Sequence, residues 1–327
     1  MAEVHHLVLS AGGQNAFVIY GACRESARLG AWSPENVESV HGSSAGAVVG
    51  AMLAMGYDWN WLDDYLLRRP WDTVLAADER MLDAYTSGGV YGTEVMEGIL
   101  GPLLEAKHMS VDVSLREFKE ETGVSVHTVA TDLNRFSLTK VVLGPDTFPE
   151  CPLVTAVAAS AAYPFLCRPV HYEGMSLVDG GVMSMYPMSE CLGNGWDPAS
   201  VLGVRLSWPM QAVPLAPSAS MLDVAAALFR CTWRTVCSDD HKRRVPEGVV
   251  EVVSEANNMT YDSLRAAVTS QAEREKLIER GVAAARECII QSPAALVPPK
   301  ETSAGTGSET ERRASRRSPP PCHHSPV

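Results

Sequence analysis

The chain has 327 residues, of which 46% are hydrophobic, and it carries a formal net charge of −12. This length allows one large domain or two small ones with a sizeable core, and the acidic charge disfavours nucleic acid as a partner and long-range attraction to anionic lipid surfaces. The eight cysteines show no CxxC pair and no regular spacing, which argues against a zinc site and a disulfide framework and favours an intracellular protein. A globular enzyme is the default expectation for such a chain, and nothing in the sequence calls for a metal or another cofactor.

The beginning of the sequence, MAEVHHLVLSAGG, does not resemble a secretion signal, because no basic residues precede its short apolar run. Two uncharged stretches, 39–57 and 151–167, are interrupted by glycines, serines or prolines. A membrane-spanning helix needs about 20 predominantly apolar residues, so we interpret both stretches as buried segments of a soluble protein. We expect a cytoplasmic protein that could also bind membranes peripherally.

The first elements alternate between strand and helix. Residues 4–10 form an apolar, β-branched run that meets a glycine turn, and a helical pattern then starts at Ala16 and ends at Gly30. The pattern repeats with a strand over 37–40, a second glycine turn and a helix over 47–55. Two such strand–turn–helix units predict an α/β fold.

Later elements continue this alternation. A capping box at Ser114 predicts a helix, followed by strands over 124–131 and 137–143 and by a helix that starts at Pro152 and ends near Ala162. Further strands are expected around 176–178, 201–206 and 248–253, and a closing helix over 269–291. Residues 296–327 are rich in Pro, Ser and Arg and poor in large apolar residues, so we predict one domain over 1–295 and a disordered tail over 296–327.

A G-x-S-x-G motif, Gly42-Ser43-Ser44-Ala45-Gly46, lies where the second strand meets its helix. A serine at such a sharp turn exposes its hydroxyl at the end of the strand, and the turn requires small residues two positions to either side, here Gly42 and Gly46. The helix that follows points its amide dipoles towards the reaction centre. The pattern therefore indicates Ser44 as a nucleophile, although a glycine-rich turn used only for close packing has the same appearance.

A serine nucleophile needs a base, and the sequence offers two arrangements. A triad of Ser44, Asp179 and His241 would follow the α/β-hydrolase order, but Ser44 comes after only the second strand and His241 lies in a charged segment. The histidine at 171 has the context of an ordinary strand residue. We favour Asp179 acting directly, since a short apolar strand delivers it into the open turn Asp179-Gly180-Gly181.

Taken together, these residues resemble the patatin-like phospholipase family over roughly residues 4–210. The resemblance rests on four parts in the family's order: the glycine-rich loop at 10–13, the turn at 42–46, the segment SAAYPFLCRPV at 160–170, and Asp179-Gly180-Gly181 followed by Tyr186-Pro187. It implies a three-layer α/β/α fold with a mainly parallel sheet and a Ser44–Asp179 dyad without histidine. It also implies a lipid substrate, whose acyl esters the enzyme cleaves during transient contact with a membrane or micelle.

The resemblance further implies that Gly12, Gly13 and Gln14 form the oxyanion hole. The family's loop usually reads Gly-Gly-Gly-x-Lys/Arg-Gly, whereas this chain has Asn15 in place of the basic residue and alanine at both outer positions. Loss of one oxyanion donor lowers the rate on the order of 10²- to 10³-fold, so a catalytically silent protein that binds lipid or a protein partner is the alternative. A nucleotide phosphate cradle is disfavoured because the outer glycines of G-x-G-x-x-G are absent.

Two further features allow two interpretations each. The aromatic segment 57–71 has the helical spacing of either an interfacial patch that reaches lipid or an amphipathic helix packed on the domain. The methionines after the aspartate, at 183, 185 and 188, could line an acyl pocket or fill the core.

Overall fold

Within the described residues, a sheet of eight strands, most of them parallel, forms the centre of the protein. The computed structural model describes residues 3–75, 84–208, 214–242, 245–256 and 260–291, and all of them belong to the compact unit Met1–Val297. The predicted tail at 296–327 lies outside the described residues. The strands are β1 (His6–Leu9), β2 (Ser39–Ser43), β3 (Ser125–Asp132), β4 (Thr139–Leu143), β5 (Val170–Tyr172), β6 (Met175–Asp179), β7 (Val201–Ser207) and β8 (Val250–Glu255).

The strand order is β5-β6-β3-β2-β1-β7-β8, with β4 also paired to β3. The run from β3 through β2, β1 and β7 to β8 is parallel throughout, whereas β4 and β6 are antiparallel to β3, and β5 is antiparallel to β6. Parallel neighbours place their carboxyl ends at the same edge of a sheet, which is where open α/β folds carry their ligand sites. The predicted α/β class with a mainly parallel sheet is therefore confirmed.

Helices connect the strands and cover the sheet. They are α1 (Ala16–Arg28), α2 (Ala45–Ala54), α3 (Trp59–Arg68), α4 (Trp71–Val74), α5 (Ala84–Ser87), α6 (Glu94–Ala106), α7 (Leu115–Thr122), α8 (Leu153–Ser160), α9 (Met188–Leu192), α10 (Met221–Lys242), α11 (Tyr261–Thr269) and α12 (Gln271–Gln291). Within the described residues, every helix is too short or too polar to cross a lipid bilayer.

Side chains of β1 alternate between two buried layers, as expected for a strand covered on both faces. Leu7 and Leu9 belong to the large core with α1, α2 and α12, while Val8 packs with Tyr186 and Met188 on the other face. On the first face, a Cβ atom at Gly21 of α1 would clash with the backbone of α12, so the two helices lie in direct backbone contact. The sheet therefore forms the middle layer, with α1, α2 and α12 on one face and the region of α9 on the other, which is a three-layer arrangement.

Most predicted elements are present, with shifted ends. The capping box at Ser114 forms in full, with the Ser114 hydroxyl accepting from the Glu117 amide at 3.2 Å and the Glu117 carboxylate accepting from the Ser114 amide at 2.9 Å. The second strand was predicted over 37–40 but runs over Ser39–Ser43. Its polar residues join the sheet because β1 and β3 supply pairing partners on both sides.

Candidate active site

Ser44 occupies the sharp turn between β2 and α2. Its backbone has φ of +51°, a region that non-glycine residues rarely adopt, and its side chain is buried with 8% exposure. A Cβ atom at Gly42 would lie 2.5 Å from the backbone of Ala47, and one at Gly46 would clash with the carbonyl group of Leu9. Both motif glycines are therefore required by close backbone approach around the turn.

Strand β3 brings Asp179 next to Ser44. The last residue of β2, Ser43, pairs with Val129, and Asp179 at the end of β6 pairs with the following residue, Ala130. The hydroxyl of Thr131 also donates to the carbonyl oxygen of Asp179 at 3.1 Å. The register of one strand thus juxtaposes two side chains that are 135 residues apart in the sequence.

The two side chains are in direct contact. The Ser44 hydroxyl donates to Oδ2 of Asp179 at 2.6 Å, and the amide of Gly181 donates to Oδ1 at 2.7 Å. Burial raises the pKa of Asp179 to about 6, although the hydrogen bonds from Ser44 and Gly181 oppose this rise. The carboxylate is consequently a stronger base than a free aspartate while remaining ionised at neutral pH.

The segment 160–170 is hydrogen-bonded to the backbone of both Ser44 and Asp179. The Ser160 hydroxyl at the end of α8 accepts from the backbone amide of Ser44 at 2.9 Å, and the Ala162 carbonyl accepts from the amide of Asp179 at 2.9 Å. Tyr163 lies close enough for the Asp179 charge to contribute to its pKa, which burial raises to about 12. The sequence of this segment, although part of the family resemblance, gives no signal that it supports both the turn at Ser44 and the aspartate.

The predicted oxyanion loop follows β1 and is well held. Gly13 has φ of +54°, which suits glycine, and the Asn15 side chain donates to the carbonyl of Gly12 at 2.8 Å. Gln14 is buried, and its side chain donates to the Ser263 hydroxyl at 2.9 Å. Within the described part of the chain, no protein acceptor binds the backbone amide of Gly13. Asn15 stands where the family pattern usually has a basic residue, and it stabilises the loop through its hydrogen bond to Gly12 rather than through a charge.

A largely apolar cavity of about 470 Å³ opens beside Ser44. It is also lined by Gly13 and Gln14 of the loop and by four residues on one side of α2, from Ala45 to Met52. Because a helix rises 1.5 Å per residue, these four span about 10 Å along α2. Other walls come from α3, α6, α10 and α11 and from the segment at 160–170. An elongated apolar group can thus lie next to the serine hydroxyl.

Among the described side chains, no histidine is hydrogen-bonded to Ser44 or Asp179. None of the described histidines lines the cavity. His41 and His127 stack on each other with ring centroids 4.4 Å apart, and burial lowers the pKa of His127 to about 4. His171 is an exposed residue of β5, as its context predicted, and its ring is hydrogen-bonded to Ser176. The side chain of His241 lies outside the described set.

The open alternatives for the aromatic segment and the methionines are resolved by packing. In the aromatic segment, Trp61 stacks between Tyr57 and Tyr65, and the Tyr65 hydroxyl donates to the carbonyl of Ile99 at 2.6 Å. The helix is therefore packed on the domain, although Trp61 is 40% exposed. Met185 and Met188 are buried away from the cavity in separate apolar clusters, which makes both of them core residues. Met183 is half-buried and does not line the cavity either.

Helix α10 forms a wall of the cavity that could not be predicted from the sequence. Phe229 packs edge to face on Tyr163 with ring centroids 6.0 Å apart, and the Trp233 indole donates to the carbonyl of Gly181, two residues after Asp179. The sequence of α10 alternates small, apolar and polar residues, which gives no clear signal that the helix lines a cavity.

Within the described residues, no three His, Cys, Asp or Glu side chains are grouped to hold a metal ion.

Comparison with known proteins identifies the family and the fold of this chain. The model of the family described as patatin-like phospholipase matches residues 7–192. An uncharacterized protein of Acanthamoeba polyphaga mimivirus is 26% identical over 191 residues, covering 58% of this chain and 61% of that protein, and uncharacterized protein YqhO of Bacillus subtilis is 26% identical over 200 residues, covering 55% and 64%. This chain thus spans less than two thirds of either relative. Among solved structures, VipD from Legionella pneumophila has a TM-score of 0.50 at 15% identity, covering 89% of this chain and 67% of VipD, which shows a shared fold.

Proposed function

Because this chain belongs to the patatin-like phospholipase family, we propose that it is a serine acyl hydrolase that cleaves acyl esters of phospholipids or related lipids. The observation that carries the proposal is the 2.6 Å hydrogen bond from the Ser44 hydroxyl to Asp179, formed at a strained turn beside an apolar cavity. The cavity would hold the acyl chain, and the turn would present the hydroxyl to the ester carbonyl.

In the proposed mechanism, Oδ2 of Asp179 takes the proton as Oγ of Ser44 attacks the carbonyl carbon. Backbone amides at Gly12, Gly13 and Gln14, together with the amino end of α2, would stabilise the negative charge on the carbonyl oxygen. The protonated aspartate then gives its proton to the leaving alcohol, which leaves an acyl group on Ser44. A water molecule, deprotonated by the same carboxylate, hydrolyses this acyl-enzyme and restores the serine.

Labelling by a fluorophosphonate probe tests the nucleophile. We expect the wild type to be labelled and Ser44→Ala to lose all labelling, because the probe reacts only with an activated serine. Ser43→Ala is the matched control, since Ser43 is the buried serine directly before Ser44 in the same motif. Gel fluorescence and intact mass would show the adduct. A folded wild type that is not labelled would favour the alternative of a catalytically silent protein that binds lipid or a partner.

The pH dependence of hydrolysis tests the base. Below its pKa of about 6 Asp179 is protonated and cannot accept the serine proton, so kcat/KM should rise with pH and reach half of its plateau near pH 6. The measurement is initial rates on a soluble ester between about pH 4 and pH 9, with circular dichroism as the control for unfolding. A half-point near the pKa of a free aspartate, about 3.9, in a folded protein would contradict the role given to burial.

A further inference from the structure

The cavity contains a charged residue that the dyad does not use. Arg230 lies on α10, outside the stretch 7–192 that the family model matches, and it lines the cavity together with Phe229 of the same helix. Its side chain is half-buried in a wall that is otherwise mostly apolar. Arg230 therefore lies in a part of the chain that the family model does not match.

The position of Arg230 is fixed by its neighbours on α10. Phe229 contacts both Tyr163 and Phe165 with ring centroids 6.0 and 5.7 Å apart, and Trp233 is hydrogen-bonded to the carbonyl of Gly181. Arg230 thus lies between two residues that anchor the helix beside the dyad. The charge of Arg230 and the opposite charge of Asp179 both influence the pKa of Tyr163, so both groups lie within electrostatic range of the same tyrosine.

Arg230 also differs from the other arginine of the cavity in its partners. Arg168 is paired with the Glu94 carboxylate at 3.1 Å. For Arg230, the described ranges provide neither a hydrogen bond nor an ion pair, although the chain contains 39 acidic residues. Water hydrates the exposed part of this half-buried guanidinium, and an anion that enters the cavity can pair with it without competing with a described carboxylate. Its planar fork of N–H donors matches the oxygens of a phosphate group.

We propose that Arg230 binds the phosphate of a glycerophospholipid whose acyl chain occupies the cavity and whose ester carbonyl lies at Ser44. This inference rests on the proposed function and specifies its substrate: a phospholipid is selected over an uncharged ester because its headgroup phosphate pairs with Arg230. A free phosphate ion offers the same chemistry, but it lacks the acyl chain that the adjacent apolar cavity would hold. The headgroup is therefore the source that the cavity favours.

Substrate selectivity is the direct test. The wild type, Arg230→Gln and Arg230→Lys are compared on monomeric dihexanoyl phosphatidylcholine and on p-nitrophenyl hexanoate, which has the same acyl group without a phosphate. A hydrogen bond between charged groups contributes about 1.5–3 kcal/mol, so the ratio of the two kcat/KM values should fall about 10- to 100-fold in Arg230→Gln. Arg230→Lys, which keeps the charge, should fall less. Arg234→Gln, an exposed arginine one turn further along α10, is the control and should keep the ratio of the wild type.

A binding measurement separates this inference from the proposed function. In the Ser44→Ala background, calorimetry with a non-hydrolysable ether phospholipid should show saturable binding that Arg230→Gln weakens about 10- to 100-fold, whether or not the wild type is an enzyme. Inorganic phosphate alone should not bind at the concentrations used for the lipid. If phosphate instead showed saturable binding that depends on Arg230, the ligand would be a free anion, and the headgroup assignment would be overturned. Equal losses in Arg230→Gln and Arg234→Gln, or an unchanged affinity and ratio in Arg230→Gln, would also overturn it.

Discussion

Asp179→Asn is expected to fold normally and to lose ester hydrolysis on the order of 10⁴-fold, the size of effect seen when an aspartate that supports a serine nucleophile is made an amide. The asparagine keeps the shape of the side chain and can still contact the Ser44 hydroxyl, but it cannot take the proton. The loss should therefore appear in kcat, measured on a soluble ester under saturating substrate. Thermal unfolding of the purified variant should remain cooperative.

Two controls make this result specific. Asp132→Asn alters another buried carboxylate, one that accepts hydrogen bonds from the amides of Asn134 and Ser176 and lies outside the cavity. It is expected to lower the melting temperature and to keep kcat near the wild-type value. His171→Ala removes the histidine of β5, the strand that pairs with the strand of Asp179, and should also keep kcat. A histidine variant that abolished turnover in a folded protein would contradict a dyad without histidine.

Gly46→Ala is expected to be the most destabilising single methyl addition in the turn. The new Cβ would lie well inside 3.0 Å of the backbone of Leu9 and 2.7 Å from the carbonyl oxygen of Ser10, and backbone atoms of a central strand cannot move aside. We expect a loss on the order of 3 kcal/mol or more in the free energy of unfolding, measured by urea titration, or a failure to fold. Activity should fall as well, because α2 and the turn at Ser44 would shift together.

Gly50→Ala provides the matched comparison one turn further along α2. The Cβ at this position would meet only a side-chain methyl, Cγ1 of Val40, at 2.5 Å. Rotation of the Val40 side chain can relieve this contact, whereas the backbone atoms at Gly46 cannot move, and alanine favours the helix by about 1 kcal/mol over glycine. The net loss should therefore be smaller than in Gly46→Ala. If Gly46→Ala were no less stable than Gly50→Ala, the close approach of α2 to β1 described here would be wrong.

The βα units could be predicted from the sequence because their signals are local. Apolar runs, glycine turns and the capping box at Ser114 each lie within one element, and the structure contains all of them. The ends of β2 could not be predicted in the same way. Its second half contains His41, Gly42 and Ser43, which have little intrinsic preference for a strand, and it is the pairing with β1 and β3 that extends the strand to Ser43.

The candidate site was predictable where the chemistry dictated a local pattern. Ser44 and Asp179 were both identified from small residues that surround a reactive side chain at the end of a strand. Their juxtaposition was not derivable from the residues alone, because it depends on the pairing of two distant strands with neighbouring residues of β3. Arg230 was missed for a related reason. Nothing near it in the sequence shows that α10 packs on Gly181 and lines the cavity.

The register of β3 also determines when the proposed dyad can exist during synthesis. Parallel pairing of β2 with β3 can complete the turn at Ser44 before residue 179 has been made, whereas the base arrives only when β6 adds to the far end of β3. Contacts between residues so distant in sequence form late in folding. A nascent or truncated chain would therefore carry Ser44 without its proposed base, so that the proposed activity would require the pairing of β6 with β3.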